Sequence, residues 1–169
     1  MKNRLKIFFL LLITIFFSGC EKDDICADGT PTTPRLIIEF YSIENSTVRK
    51  LVANLKVQGE GVATSIDFNQ VDTIELPLKT NENFTNYSFT INSTASTAAN
   101  NTDLIRFNYS VNDIYVSRAC GFKSFFNLNL ANGLLKENPL GDTIYWIENY
   151  EIVKTNVETE EDVHIKMYF

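Results

Sequence analysis

The chain has 169 residues, 44% of them hydrophobic, with 13 Phe, 7 Tyr and a formal net charge of −6. That is the length of one domain, too short for a two-domain dinucleotide-binding enzyme or a complete (β/α)₈ barrel. It is also too apolar and aromatic to be disordered throughout.

The first residues read as a targeting segment, to be set apart from the fold. Lys2, Arg4 and Lys6 are basic, no acid occurs among the first 19 residues, and Ile7 to Phe17 is an apolar run of 11. A bilayer-spanning helix needs about 20 such residues. Phe17-Ser18-Gly19-Cys20 follows and resembles the bacterial lipobox, with Phe17 where Leu is commoner. The resemblance implies diacylglyceryl attachment to the Cys20 thiol, cleavage before it and acylation of the new amino terminus. An ordinary signal peptide or an uncleaved anchor, with Cys20 incidental, is the alternative. Each buried acyl CH₂ contributes about 0.8 kcal/mol, so several chains hold a protein firmly. Residues 1–19 are then a signal peptide, 20–34 a lipidated tether and 35–169 the folded domain. Loss of the three basic residues leaves 12 Lys and Arg against 21 Asp and Glu. Such a surface repels phosphate backbones and argues against nucleic acid. Lys22-Asp23-Asp24 is similar to the acidic tract of surface-exported Bacteroidetes lipoproteins. The expected location is the outer membrane, lipid-anchored, with the domain facing either the surface or the periplasm.

Pro31 and Pro34 keep the tether extended. Beyond it the hydrophobic period is two, repeatedly. Leu36, Ile38 and Phe40 share one face of a strand, and Ile37, Glu39 and Tyr41 the other. Leu51, Ala53, Leu55 and Val57 alternate with polar residues, Val52 excepted. Ile74, Leu76 and Leu78 alternate, and Pro77 suggests an edge strand. Tyr87, Phe89 and Ile91 form one row, and Ile105, Phe107, Tyr109 and Val111 another; Ile114 to Ser117 reads as a separate short strand. Residues 92–103, rich in Ser, Thr, Ala and Asn, form the most mobile-looking connection. Phe122 to Leu135 fits either a strand and turn or a short helix. Residues 144–155 read as one long strand. Val163, Ile165, Met167 and Phe169 oppose His164, Lys166 and Tyr168, with Glu158 to Asp162 joining the last two strands as a hairpin.

Eight or nine short strands separated by turn formers predict an all-β fold, an antiparallel β-sandwich of immunoglobulin-like or transthyretin-like kind. An outer-membrane β-barrel is the competing architecture. Most strands read shorter than a barrel needs, and a lipid on Cys20 would be redundant there.

Of the three cysteines, lipidation uses Cys20. In an oxidising compartment the remaining Cys26 and Cys120 favour a structural disulfide, with reactive thiols as the rival. No CxxC supports a redox or zinc motif.

Traces of catalysis are few. The single histidine, His164, falls on the polar row of the last strand and is expected to be solvated. Gly59-Glu60-Gly61 is a turn, and no phosphate loop or nucleophile elbow occurs. Glu158 to Asp162 is a weak calcium candidate without EF-hand spacing. No cofactor and no metal are expected. Tyr145, Trp146, Tyr150 and Tyr168 form a candidate aromatic ligand surface, with core packing as the plainer explanation. Asp72-Thr73-Ile74 and Asp142-Thr143-Ile144 look like Bacteroidetes O-glycosylation acceptors at Thr73 and Thr143.

Asp24-Ile25-Cys26, Gly29 to Leu36, Ser117-Arg118-Ala119-Cys120-Gly121-Phe122-Lys123 and His164 to Phe169 together resemble an uncharacterised family of small flavobacterial lipoproteins, a domain of unknown function. The resemblance implies location and a paired-cysteine framework but no reaction. The expected function is a non-enzymatic binding or accessory module of the envelope, with an outer-membrane barrel as a possible protein partner. A surface carbohydrate-binding module ranks second and a small envelope enzyme third.

Overall fold

The structure is a computed structural model that describes residues 25–94, 100–137 and 144–169. Eleven strands occur among them and no helix: β1 (Leu36–Tyr41), β2 (Leu55–Gly59), β3 (Ile66–Phe68), β4 (Thr73–Leu76), β5 (Phe84–Ile91), β6 (Asn101–Ser117), β7 (Gly121–Leu128), β8 (Leu134–Glu137), β9 (Asn149–Ile152), β10 (Asn156–Val157) and β11 (Ile165–Tyr168). The described chain divides into two compact units. The small one holds the residues up to Pro31 together with Tyr115–Phe122. The large one holds Thr32–Ile114 and Lys123–Phe169.

The large unit is a two-sheet β-sandwich, the class expected from the period-two patterning. One sheet has the order β4-β1-β11-β9; the other runs β10-β7-β6-β5-β2-β3, with β8 paired to β6. Phe40, Ile38, Leu76, Ile165 and Met167 of the first sheet join Val57, Phe89, Phe107, Phe126 and Leu128 of the second in one core. β4 is an edge strand, where Pro77 just beyond it needs no ladder hydrogen bond. β1 lies between β4 and β11 and is buried on both faces. It runs antiparallel to β4 but parallel to β11, with Ile38 opposite Ile165 and Phe40 opposite Met167. A parallel pair cannot be closed by a tight turn; here nearly the whole domain is the connection.

Four local readings change. Ile114 to Ser117 is not a separate strand but the end of β6. The reading of 144–155 as one strand shrinks to β9. The Asp103 carboxylate accepts the backbone N–H groups of Trp146 (3.3 Å) and Ile147 (2.8 Å), which removes them from any ladder. The row starting at Leu51 is out of phase, because Leu51 is exposed and Val52 buried. Asn54 has φ of 46°, a left-handed conformation that Asn tolerates and that resets the alternation before Leu55. Finally, β9 and β11 are antiparallel neighbours, yet not a plain hairpin. Between them β10 crosses to pair with β7 of the other sheet.

The ambiguous stretch Phe122 to Leu135 is strand, turn and the start of β8. Residues 95–99 of the 92–103 connection lie outside the described residues, and Asn101, Thr102 and Asp103 already belong to β6.

Candidate functional site

The small unit is a clip. Cys26 and Cys120 form a disulfide with their Cα atoms 4.9 Å apart. On the N-terminal side, Thr30 donates from its amide (3.1 Å) and from its hydroxyl (2.6 Å) to the Ala27 carbonyl, closing a turn around Gly29 at φ 79°. On the hairpin side, the Cys120 amide donates to the Ser117 hydroxyl at 3.0 Å, and Gly121 has φ of 71°. Both glycines stand in backbone regions that other residues avoid. These turns bring Ile25, Ala27 and Thr30 beside Tyr115, Val116 and Ala119 around an open cavity of about 560 Å³. Tyr115 and Phe122 meet edge to face at 5.4 Å between ring centroids. Both rings are largely exposed, as is Ile25.

The large unit carries a second cleft of about 290 Å³, lined by Gln58, Glu60, Val62, Asn86 and Glu137 among others. Asn86 donates its amide to Glu60 at 2.7 Å. Its carbonyl oxygen is buried without a partner among the described residues.

His164 is not solvated as its parity suggests; it is fully buried. The Ile37 amide donates to its Nδ1 at 3.0 Å, and the His164 amide donates to the Ile37 carbonyl at 3.1 Å. The imidazole thus completes the β1–β11 pairing just before β11 begins. With Nδ1 accepting, the ring proton sits on Nε2, which finds no partner among the described residues. The imidazole pKa falls from 6.5 to about 4, mainly through burial, with nearby Lys154 also lowering it and Asp162 opposing.

The four candidate aromatics do not form one open row. Trp146 is buried, packs on Phe40 and Phe169, and donates its Nε1–H to the Phe89 carbonyl at 2.9 Å. Tyr168 is buried beside Tyr41, with its hydroxyl donating to Glu151 at 3.0 Å. Tyr150 packs against the core and donates to the Leu134 carbonyl at 2.8 Å. Tyr145 is half-buried beneath the Lys136 ammonium. These rings are the packing and hydrogen-bonding of a sandwich, not a stacking platform.

Thr73 lies on the edge strand β4 and donates its hydroxyl to Asp72 at 3.0 Å. Thr143 and Cys20 lie outside the described residues. In the acidic loop, Glu160 receives the Arg35 guanidinium through both carboxylate oxygens (2.8 and 2.9 Å), and Asp162 pairs with Lys154. The Arg35 hydrogen bond holds Glu160 below its ordinary pKa, and the Lys154 hydrogen bond does the same for Asp162. Among the described residues no three His, Cys, Asp or Glu side chains converge to hold a metal ion.

Two buried acids escaped the sequence reading. Asp103 anchors the Trp146–Ile147 backbone. Its signal was available, because it precedes Ile105 by two positions and so continues the inward row Ile105, Phe107, Tyr109. Glu39, also buried, receives Arg49 and the Tyr41 hydroxyl. Arg49 lies outside every strand, so no periodicity linked it to Glu39.

Residues 54–169 match the sequence model of a family described as a family of unknown function (DUF6452). No curated protein and no solved structure matches the chain.

Proposed function

The chain belongs to this family of unknown function, DUF6452, and from that premise we propose that it is an outer-membrane lipoprotein, anchored through Cys20, whose sandwich serves as a non-enzymatic binding or accessory module of the bacterial envelope. The observation that carries the reading is the Cys26–Cys120 disulfide, six positions after the lipobox cysteine. Such a bond persists in an exported, oxidising setting and is rare in the cytosol. It supports the same compartment that the lipobox implies, from a separate line of chemistry. The exposed Ile25, Tyr115 and Phe122 support a contact role for the clip. The acidic balance supports a partner other than nucleic acid.

The test is metabolic labelling in the native host. Labelled palmitate is expected to enter the wild-type protein, which fractionates with the outer membrane. Cys20→Ala is expected to remain unlabelled and to leave that fraction. Equal membrane retention of the variant, with no label in the wild type, overturns the anchor. Crosslinking in intact cells followed by purification is expected to recover one reproducible envelope protein; recovery of none overturns the accessory role.

A further inference from the structure

We propose that the disulfide clip is a membrane-resting surface: Ile25, Tyr115 and Phe122 seat in the interfacial layer of the same bilayer that holds the lipid on Cys20. The inference rests on the anchor proposed above and adds to it a contact made by the protein itself.

Three observations point to a bilayer as the occupant. The first is the chemistry of the patch. Ile25, Tyr115 and Phe122 are 75%, 60% and 68% exposed, and two of them form a ring pair. Ile25 and Tyr115 line one cavity together with Ala27, Val116 and Ala119, and with the polar Ser117 and Arg118 at its wall. Aromatic rings with one polar tip, flanked by aliphatic groups, partition into the headgroup region of membranes.

The second is charge. Asp28 and Arg118 are the charged side chains among the described residues of the clip, and they cancel. Those residues bring no net charge to be dehydrated on approach, and their contact requires no anionic lipid. Binding of this kind is apolar and insensitive to salt.

The third is the tether. Cys26 follows Cys20 by six positions, so even a fully extended chain keeps it within about 20 Å of the anchored residue. The disulfide passes that restraint to Cys120 at the hairpin tip, whose Cα is 4.9 Å from that of Cys26. The apolar tip is therefore held at the membrane surface at high effective concentration, where weak intrinsic affinity suffices. Without the disulfide, the covalent path from the anchor to the tip runs through nearly a hundred residues, and the hairpin keeps only noncovalent contacts with the N-terminal segment, such as the Ser124 amide donating to the Thr33 hydroxyl at 2.9 Å.

The experiment uses the full lipidated protein in phosphatidylcholine vesicles carrying brominated acyl chains, with Phe122→Trp as the reporter. The parent protein holds a single tryptophan, the buried Trp146, and its emission is the unquenched reference. The introduced indole is expected to lose about half its emission or more, as an interfacial aromatic does, equally at low and high salt. Tyr115→Trp, read in the same way, guards against misfolding of the first variant. Combining Phe122→Trp with Cys26→Ser and Cys120→Ser is expected to abolish most of the quenching. Unquenched reporters in protein that still carries palmitate overturn the membrane-resting clip and leave the anchor intact. Quenching that survives loss of the disulfide overturns the tethering argument. Protection of the reporters by a copurifying protein instead of lipid assigns the patch to that partner and likewise overturns the proposal. Absence of palmitate overturns the anchor itself, and that label is measured separately.

Discussion

His164 is the residue with the largest consequence for solution behaviour. Its Nδ1 accepts the Ile37 amide only while the ring is neutral, and burial lowers its pKa from 6.5 to about 4. An unfolded chain takes up the proton below pH 6.5, whereas the folded chain resists it until about pH 4. The contribution is therefore complete above pH 6.5 and is lost as pH falls through that window. It amounts to about 3 kcal/mol, at 1.36 kcal/mol per pKa unit. Urea unfolding at pH 7.5 and pH 4.5 checks this. His164→Asn, whose side-chain oxygen can replace Nδ1 as the acceptor, is expected to flatten the difference. The acids Glu160 and Asp162 have lowered pKa values. Their effect falls lower, near and below pH 4, and is small because both are solvent-screened. The strand pattern correctly put His164 opposite Ile165 and Met167. It missed the burial because parity distinguishes the two faces of a strand but not whether the outer face is covered.

At the scale of elements, the β6–β7 hairpin and the N-terminal segment are joined by one covalent bond. Cys26 and Cys120 are separated by 94 positions, and closing so long a loop restrains the unfolded chain by about 4–5 kcal/mol in the chain-entropy model. Reduction is expected to lower stability by about 3–4 kcal/mol, measured as the shift in urea midpoint with and without a phosphine reductant. The Cys26→Ser and Cys120→Ser pair is expected to match the reduced protein and to ignore the reductant. Cysteine counting sufficed for this pairing, once the lipobox reading set Cys20 aside and left two. The extent of β9 was not so legible. Ile144 to Ile147 have strand-like composition, but Asp103 takes the Trp146 and Ile147 amides out of the ladder. That decision belongs to a residue over forty positions away.

Across the whole molecule, the sandwich rests on rings from both sheets. Phe107 is fully buried and meets Phe89 and Tyr87 edge to face. Phe107→Ala is expected to cost about 3–5 kcal/mol through lost transfer energy and a residual cavity. Phe122→Ala, an exposed change, should stay within about 0.5 kcal/mol. Paired chemical denaturation curves test the contrast, and equal effects would show the core to be misassigned. The same contrast separates two kinds of aromatic residue. Trp146 and Tyr168 hold the interior, while Tyr115 and Phe122 face outward in the small unit.

Alternating side chains, turn formers and the cysteine number were enough to establish an all-β sandwich and a disulfide, because period two and thiol pairing are local or nearly local properties. The same linear information marked β4 as an edge through Pro77. Only the folded chain decided that β1 pairs in parallel with β11, that His164 and Tyr168 are covered, and that Asp103 and Glu39 are buried acids with partners. Each of these depends on which distant strand comes to lie alongside. Pairing between segments far apart in sequence is chosen by the summed burial of the whole core, which no window of residues contains.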